Sequence, residues 1–305
     1  MGGTSAKIGI VDGERRIVER TALPTGADIP FQEMIRRLAE AVRSMMGKFP
    51  DQIAQIGLGI PSSIAKENRM VVHANNLGWR NRDAISELKR YVDLPVYLAN
   101  DADCAALGEF LAGAGQGYDY VLLLTLGTGL GGGIIDHGKL FLGGNGCGFE
   151  PGHMIIRENG LACTCGRRGC LERYASATAL IREVEQAAAA ASSDLLRSMI
   201  AEGGGKANAK MAFDAAAAGD VIAGRILEEY LHSLAVGISN LITLFRPNVV
   251  ILGGGVSAAG EALFRPLRQW VGDMTYGAEV MGCPPIIPAE LGNDAGIIGA
   301  AFLEE

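Results

Sequence analysis

The chain has 305 residues, of which 49% are hydrophobic and 20% are charged. This composition supplies a substantial core, which excludes intrinsic disorder and fits one large domain or two ordinary ones. The formal net charge is −7, which speaks against general attraction to nucleic acid. Because the apolar runs are short and charges interrupt the first twenty residues, we expect a cytoplasmic protein without a signal peptide or a membrane partner.

The first third of the chain predicts alternating strands and helices. Residues 7–11 and 16–20 flank an Asp12-Gly13 turn and predict a β-hairpin. Apolar spacing predicts a helix over 30–46, and a strand-like run ends at residue 60. A polar segment rich in turn formers then leads to Asn75, and we predict it to be a loop. A helix near 83–91 and a strand at 95–98 follow.

The remainder continues this alternation, which predicts an α/β architecture. An apolar strand at 120–124 runs into a glycine-rich segment and out again at 134–135. Residues 176–236 are predicted to be mostly helical. A strand at 248–252 precedes three glycines, and a last helix is predicted over 295–303.

Three glycine clusters adjoin predicted strands, at 2–4, 127–133 and 253–255. Glycine lets backbone amides approach a phosphate without an intervening Cβ. Any one cluster alone is better explained as a tight turn, but three together indicate a nucleotide site. Neither the Walker loop nor the Rossmann fingerprint is present.

With these clusters the chain resembles the sugar kinases of the actin-like ATPase superfamily and, within it, the ROK family. Gly2-Gly3-Thr4 is similar to the first phosphate motif, residues 126–133 to the second, and residues 252–256 to the adenosine-side turn. Residues 292–300 are similar to the family's closing helix. The resemblance implies a two-lobed ribonuclease-H-like (actin-like ATPase) sugar kinase fold with an inserted zinc-binding loop. It implies a small lobe of residues 1–101, rejoined by a C-terminal helix at 291–305, and a large lobe of residues 102–290.

The resemblance also implies ATP and Mg²⁺ as cofactors. The implied ATP-binding residues are Gly2, Gly3, Thr4, Gly127, Thr128, Gly129, Gly131, Gly132, Gly133, Gly254 and Gly255.

Asn100 and Asp101 open a predicted helix. From these residues alone, a helix cap is the simpler interpretation. Phosphoryl transfer to a hydroxyl, however, needs a carboxylate that accepts the proton. The resemblance implies that Asp101 is this general base and that Asn100 and Asp101 both bind the sugar.

His153, Cys163, Cys165 and Cys170 supply one imidazole and three thiolates at short spacing. These ligands suit a closed tetrahedral zinc site, which is structural because no position is left open for water. The alternative of a disulfide leaves one of the three thiols unpaired.

The segment 144–153 is similar to a sugar-binding block of the family. The resemblance implies that Glu150, His153 and Glu172 contact sugar hydroxyls, together with Asn76. The alternative for Glu150 and Glu172 is an ordinary surface charge. The other histidines, His73, His137 and His232, are predicted to be structural or surface groups. We expect Trp79 to pack, and Cys104, Cys147 and Cys283 to be small buried hydrophobes.

The chain departs from the family at two places. Relatives begin with an apolar strand that ends in Asp-x-Gly-Gly-Thr, whereas here Met1 directly precedes Gly2-Gly3-Thr4. The loss of this strand and its Asp would expose two neighbouring strands and remove a charge that helps to hold Mg²⁺. Either the start is misplaced, which we favour, or the chain is impaired. Pro61-Ser62-Ser63 stands where the family often has Pro-Gly, and serine makes the same turn with more strain if φ is positive.

The resemblance therefore implies an ATP-dependent hexose kinase, most simply a glucokinase that phosphorylates the 6-hydroxyl. The alternatives are a kinase of N-acetylmannosamine, N-acetylglucosamine or fructose, a sugar-sensing transcription regulator, and a sugar-binding module without catalysis. Regulators of the family carry an N-terminal DNA-binding segment, and nothing precedes Gly2 here except Met1. Relatives also lead us to expect a homo-oligomer, either a dimer or a tetramer.

Overall fold

The computed structural model describes residues 1–65 and 70–304. The strands are β1 Ser5–Val11, β2 Ile17–Pro24, β3 Ile56–Ile60, β4 Ser63–Ile64, β5 Val71–Ala74, β6 Trp79–Arg82, β7 Val96–Asn100, β8 Tyr120–Leu126, β9 Leu130–Asp136, β10 Lys139–Leu140, β11 Val249–Gly253 and β12 Ile286–Pro288. The helices are α1 Phe31–Met46, α2 Ala84–Lys89, α3 Asp101–Ala112, α4 Glu172–Ala175, α5 Ala177–Ala189, α6 Asp194–Glu202, α7 Ala209–Ala217, α8 Val221–Phe245, α9 Glu261–Met274, α10 Ala278–Met281 and α11 Ala295–Ala301.

The predicted hairpin is confirmed, since β1 and β2 pair antiparallel. The Asp12 carboxylate fixes the turn by accepting hydrogen bonds from the amides of Glu14 and Arg16, both at 2.9 Å. Strands β3 and β7 pair parallel, with Ile60 opposite Asn100. The helix α3 therefore begins where this pair of strands ends.

The predicted loop before Asn75 is wrong in part, because β4, β5 and β6 form an antiparallel sheet in the order β4-β5-β6. Val71 and Ala74 of β5 are buried while Val72 is exposed. These strands are two to four residues long, which is too short for an alternating pattern to stand out from a polar segment. A fourth sheet has the order β10-β9-β8-β11-β12.

The chain divides into two compact units. Unit 1 comprises Met1–Leu123, Gly133–Phe149 and Glu290–Glu305, and unit 2 comprises Leu124–Gly132 and Glu150–Ala289. The limits of the two lobes that the resemblance implies stay a prediction. Within the described ranges, the helices are too short or too polar to span a bilayer.

The core of unit 1 is built on α1 and the strands beside it. Met34, Ile35 and Leu38 recur at helical spacing and are buried, as the sequence predicts. Trp79 is 2% exposed and meets the ring of Phe31 edge to face at a centroid distance of 4.9 Å. The expectation that Trp79 packs is therefore confirmed.

Helices α3 and α11 of unit 1 approach each other to backbone contact. A Cβ on Gly108 would lie 2.0 Å from the Ala295 carbonyl oxygen, and one on Gly299 would lie 1.8 Å from the Cys104 carbonyl oxygen. On another side of α11, a Cβ on Gly57 of β3 would lie 1.6 Å from the Ala300 oxygen. Only glycine permits contacts this close.

The core of unit 2 contains the fully buried strand β11 and the buried face of the long helix α8. Asp220 caps α8 by accepting a hydrogen bond from the Ala223 amide at 2.8 Å. Helix α9 packs on α8 and was not predicted. Its buried residues Leu263, Phe264, Leu267 and Val271 recur at helical spacing, so the sequence carries the signal for this helix in spite of Pro266.

Candidate active site

The junction of β7 and α3 places Asn100 and Asp101. Asn100 caps α3, since its Oδ1 accepts a hydrogen bond from the Ala102 amide at 2.7 Å. Its Nδ2 donates to the Ser62 carbonyl oxygen at 3.1 Å. An amide side chain has two acceptor lone pairs and two donor hydrogens, so each end keeps the capacity for one further partner. The capping interpretation is thus confirmed and is compatible with sugar binding.

Asp101 is the first residue of α3. Burial raises the pKa of its carboxyl group above the ordinary value, because desolvation disfavours the charged form. A carboxylate with a raised pKa is a stronger base once it is ionised. This property suits a group that accepts a proton from a substrate hydroxyl.

The turn that precedes this junction carries no strain at its two serines. The described residues with positive φ do not include Ser62 or Ser63. Serine therefore makes this turn with ordinary backbone angles, and the strain that positive φ would cause does not arise.

Elsewhere in unit 1, Asn76 lies beside the first glycine motif. A Cβ on Gly3 would lie 2.9 Å from the Asn76 Cβ. Thr25 holds the motif, because its hydroxyl donates to the Gly2 carbonyl oxygen at 2.6 Å and its amide donates to the Thr4 oxygen at 3.1 Å. Asn76 itself is exposed.

In unit 2, two of the predicted phosphate loops meet. Gly127–Gly129 follow β8 and form a tight turn, in which the Gly127 amide donates to the Gly129 oxygen at 3.0 Å. Gly254 follows β11 with φ of +86°, and a Cβ there would lie 2.5 Å from the Leu126 carbonyl oxygen. The two glycine turns therefore adjoin at the ends of β8 and β11.

The other glycines of the second cluster, Gly131, Gly132 and Gly133, lie within strand β9. Gly133 has a packing reason to be glycine, since a Cβ would lie 2.7 Å from the Ala106 Cβ. Their roles in binding ATP, like those of Thr128 and Gly255, stay predictions.

The four predicted metal ligands come together in unit 2. One ligand atom from each of His153, Cys163, Cys165 and Cys170 lies within 4.8 Å of the others. The Cys165 and Cys170 Sγ atoms are 3.6 Å apart, and Cys163 Sγ is 3.7 Å from His153 Nδ1. Zn–S bonds of about 2.3 Å at tetrahedral angles place two thiolates about 3.8 Å apart. The four side chains therefore fit a zinc ion, and the sulfur separations are too long for disulfides.

Glu172 connects this cluster to the glycine turn. Its Oε1 accepts a hydrogen bond from the Cys163 thiol at 3.1 Å and lies 3.6 Å from His153 Nδ1. Its Oε2 would lie 3.0 Å from a Cβ on Gly129. Glu172 is 18% exposed, so it is not an ordinary surface charge.

The remaining sugar-binding candidate is Glu150. Glu150 is exposed, and its carbonyl oxygen accepts a hydrogen bond from the His153 amide at 3.1 Å. His137 pairs with Asp136, and His232 packs edge to face on Trp270.

The prediction for the other cysteines is correct for Cys104, which is buried. It is wrong for Cys147, which is half-buried, and for Cys283, which is exposed.

Comparisons with known proteins agree with this architecture. The fold is that of the sugar kinases in the actin-like ATPase superfamily, as predicted. The chain belongs to the ROK family, whose model matches residues 1–305.

The proteins to which the chain is similar include kinases of two different sugars. The chain is 39% identical to a glucokinase of Thermotoga maritima, over 99% of this chain and 95% of that one. It is 31% identical to an N-acetyl-D-glucosamine kinase of Vibrio vulnificus, over 99% of this chain and 97% of that one. A solved ROK family glucokinase from Streptomyces griseus, in complex with glucose and AMPPNP, superposes with a TM-score of 0.83 at 34% identity. That alignment covers 99% of this chain and 96% of that one.

Proposed function

We propose that this protein is an ATP-dependent glucokinase, which transfers the γ-phosphoryl group of ATP to the 6-hydroxyl of glucose. The observation that carries the proposal is the nearly full-length likeness to glucokinases, at up to 39% identity, in a chain whose fold starts α3 at Asp101. Asp101 accepts the proton of the 6-hydroxyl as the new bond to phosphorus forms. Asn100, Asn76, Glu150, His153 and Glu172 bind the sugar hydroxyls.

The glycine turns bind the nucleotide. Gly127, Gly129 and Gly254 have no Cβ in these turns, so several backbone N–H groups approach the same phosphate. Mg²⁺ accompanies the triphosphate and neutralises charge on it. Because the backbone donors are fixed before the nucleotide binds, they need little reorganisation during transfer.

His153 Nδ1 and the thiolates of Cys163, Cys165 and Cys170 would hold a zinc ion. The ion would cross-link the loop and supply no chemistry in the transfer, because four protein ligands would fill its coordination. The other ring nitrogen of His153 would then have a fixed direction and would donate to a sugar hydroxyl. The Glu172 carboxylate lies 3.1 Å from the Cys163 sulfur, beside the same cluster.

The test measures ADP release from ATP and Mg²⁺ with a panel of hexoses and N-acetylhexosamines. We expect turnover with glucose, and a loss of about 10²- to 10⁴-fold in Asp101→Asn, the usual contribution of a general base. Asp214→Asn is the matched control, because Asp214 is a partly exposed residue of α7 paired with Lys210. Turnover by Asp101→Asn at the rate of the control would contradict the role of Asp101.

A second candidate, an N-acetylglucosamine kinase, is favoured by the likeness to the Vibrio vulnificus enzyme. The same panel separates the two. A kcat/KM for N-acetylglucosamine above that for glucose would replace the first candidate by the second.

We also propose that the protein works in the cytoplasm as a homo-oligomer. Light scattering of the purified protein measures the mass directly, and a mass of 32.0 kDa, that of one chain, would contradict the oligomer.

A further inference from the structure

Glu109 of α3 is a fully buried carboxylate to which the proposed chemistry gives no role. Its exposure is 0%. Its Oε2 accepts hydrogen bonds from the amides of Ala114 at 3.0 Å and Glu290 at 3.1 Å, and its Oε1 accepts one from the Leu291 amide at 2.8 Å. Three backbone donors on one carboxylate offset the cost of burying it.

The backbone of the turn after α3 lies so close to the Glu109 carboxylate that a side chain at residue 113 would displace it. A Cβ on Gly113, the residue after α3, would lie 2.1 Å from Glu109 Oε2 and 2.9 Å from the Leu291 Cγ. The backbone oxygen of Glu109 also accepts hydrogen bonds from the amides of Gly113 at 3.0 Å and Gly115 at 2.9 Å. The turn after α3 therefore wraps around residue 109.

The three donors belong to two segments of unit 1 that are far apart in the sequence. Ala114 lies between α3 and β8, and Glu290–Leu291 follow β12. The Ala289 amide still donates to the Leu252 oxygen of β11 at 3.0 Å, whereas the next two amides donate to Glu109. The hydrogen-bond acceptor therefore changes from Leu252 to Glu109 between the adjacent amides of Ala289 and Glu290.

We propose that Glu109 is a positioning residue for phosphoryl transfer, because it holds the backbone at Ala114 and at Glu290–Leu291 against α3 and so fixes the helix that begins at Asp101. The inference rests on the proposed function. Asp101 begins α3, and Glu109 lies about two turns further along the same helix. Transfer requires the attacking hydroxyl and the phosphoryl group to be aligned, and a misplacement of about 1 Å costs as much as 10²-fold in rate.

The main test is Glu109→Gln, assayed well below its unfolding temperature. Glutamine keeps the size of the side chain but turns an N–H₂ group toward backbone donors. We expect kcat to fall about 10- to 100-fold, while KM for glucose and for ATP each change by less than about threefold. The matched control, Glu261→Gln, alters an exposed glutamate of α9 that pairs with Arg268 and should keep the wild-type kcat. A Glu109→Gln protein that unfolds at lower temperature but keeps the wild-type kcat would overturn the proposal, because Glu109 would then only stabilise the fold.

A second variant and a wild-type measurement cover the case in which Glu109→Gln does not fold. Gly113→Ala displaces the carboxylate from the other side and should give the same split between kcat and KM. In the wild-type protein, the amides of Ala114, Glu290 and Leu291 should exchange hydrogen slowly both with and without glucose. Fast exchange of these amides would overturn the proposal, because Glu109 would then not hold the two segments. A wild-type protein that phosphorylates no sugar would contradict the proposed function, whereas the exchange measurement tests the hold of Glu109 on the two segments separately.

Discussion

Replacing Gly299 by alanine should destabilise unit 1 through one backbone contact. The new Cβ would lie 1.8 Å from the Cys104 oxygen and 2.7 Å from the Gly108 nitrogen, about 1.5 Å closer than an ordinary contact. Helix α11 must then move away from α3. Overpacking of this kind typically costs about 1–3 kcal/mol, and the better helix propensity of alanine returns at most about 1 kcal/mol. We expect a net loss of about 2 kcal/mol in the free energy of unfolding of unit 1.

The chain offers a matched control and a local reporter for this change. Gly296 is in the same helix and has nothing within 4 Å of an added Cβ, so Gly296→Ala should be neutral or slightly stabilising. The two tryptophans are Trp79 in unit 1 and Trp270 in unit 2, so in a Trp270→Phe background the fluorescence reports on unit 1 alone. With a urea dependence of about 2 kcal/mol/M, the midpoint of Gly299→Ala should fall by about 1 M. Equal midpoints for the two alanine variants would refute the argument from backbone contact.

Three further predictions concern the candidate site. Burial raises the pKa of Asp101, and a general base acts only when it is deprotonated. We therefore expect kcat/KM to fall with decreasing pH around a midpoint above about 3.9, the ordinary pKa of Asp. A midpoint at or below that value in the pH-rate profile would contradict the role of Asp101. Cys165→Ser should lower bound zinc, measured by atomic absorption, and the melting temperature; unchanged zinc content would contradict the ligand set. Gly254→Ala, at φ of +86° and against the Leu126 oxygen, should raise KM for ATP about tenfold with KM for glucose unchanged; equal changes in both would refute a nucleotide-specific role.

The sequence was most informative where one local pattern decides the structure. The hairpin follows from alternation around Asp12-Gly13, and α1 follows from apolar residues at helical spacing. The metal ligands were also predictable, because three cysteines within eight residues and one histidine must be brought together by a short loop.

The sequence was least informative where a residue acts through distant backbone. Glu109 takes its donors from Glu290 and Leu291, which are 181 and 182 residues away, and no spacing rule relates them. The same holds for Gly108 and Gly299, since a glycine in the sequence does not reveal which carbonyl approaches it. The link from Glu172 to the Cys163 thiol likewise depends on the folded loop.

The contact of α11 with α3 also bears on the order in which the protein is completed during synthesis. Helix α11 is made after every residue of unit 2, yet it packs against β3 and α3, which are made near the beginning. A growing chain can therefore finish unit 2 while unit 1 still lacks the helix that covers Gly57 and Gly108. Since domains generally fold as units when their residues become available, unit 1 closes after unit 2, although most of its residues are made before those of unit 2.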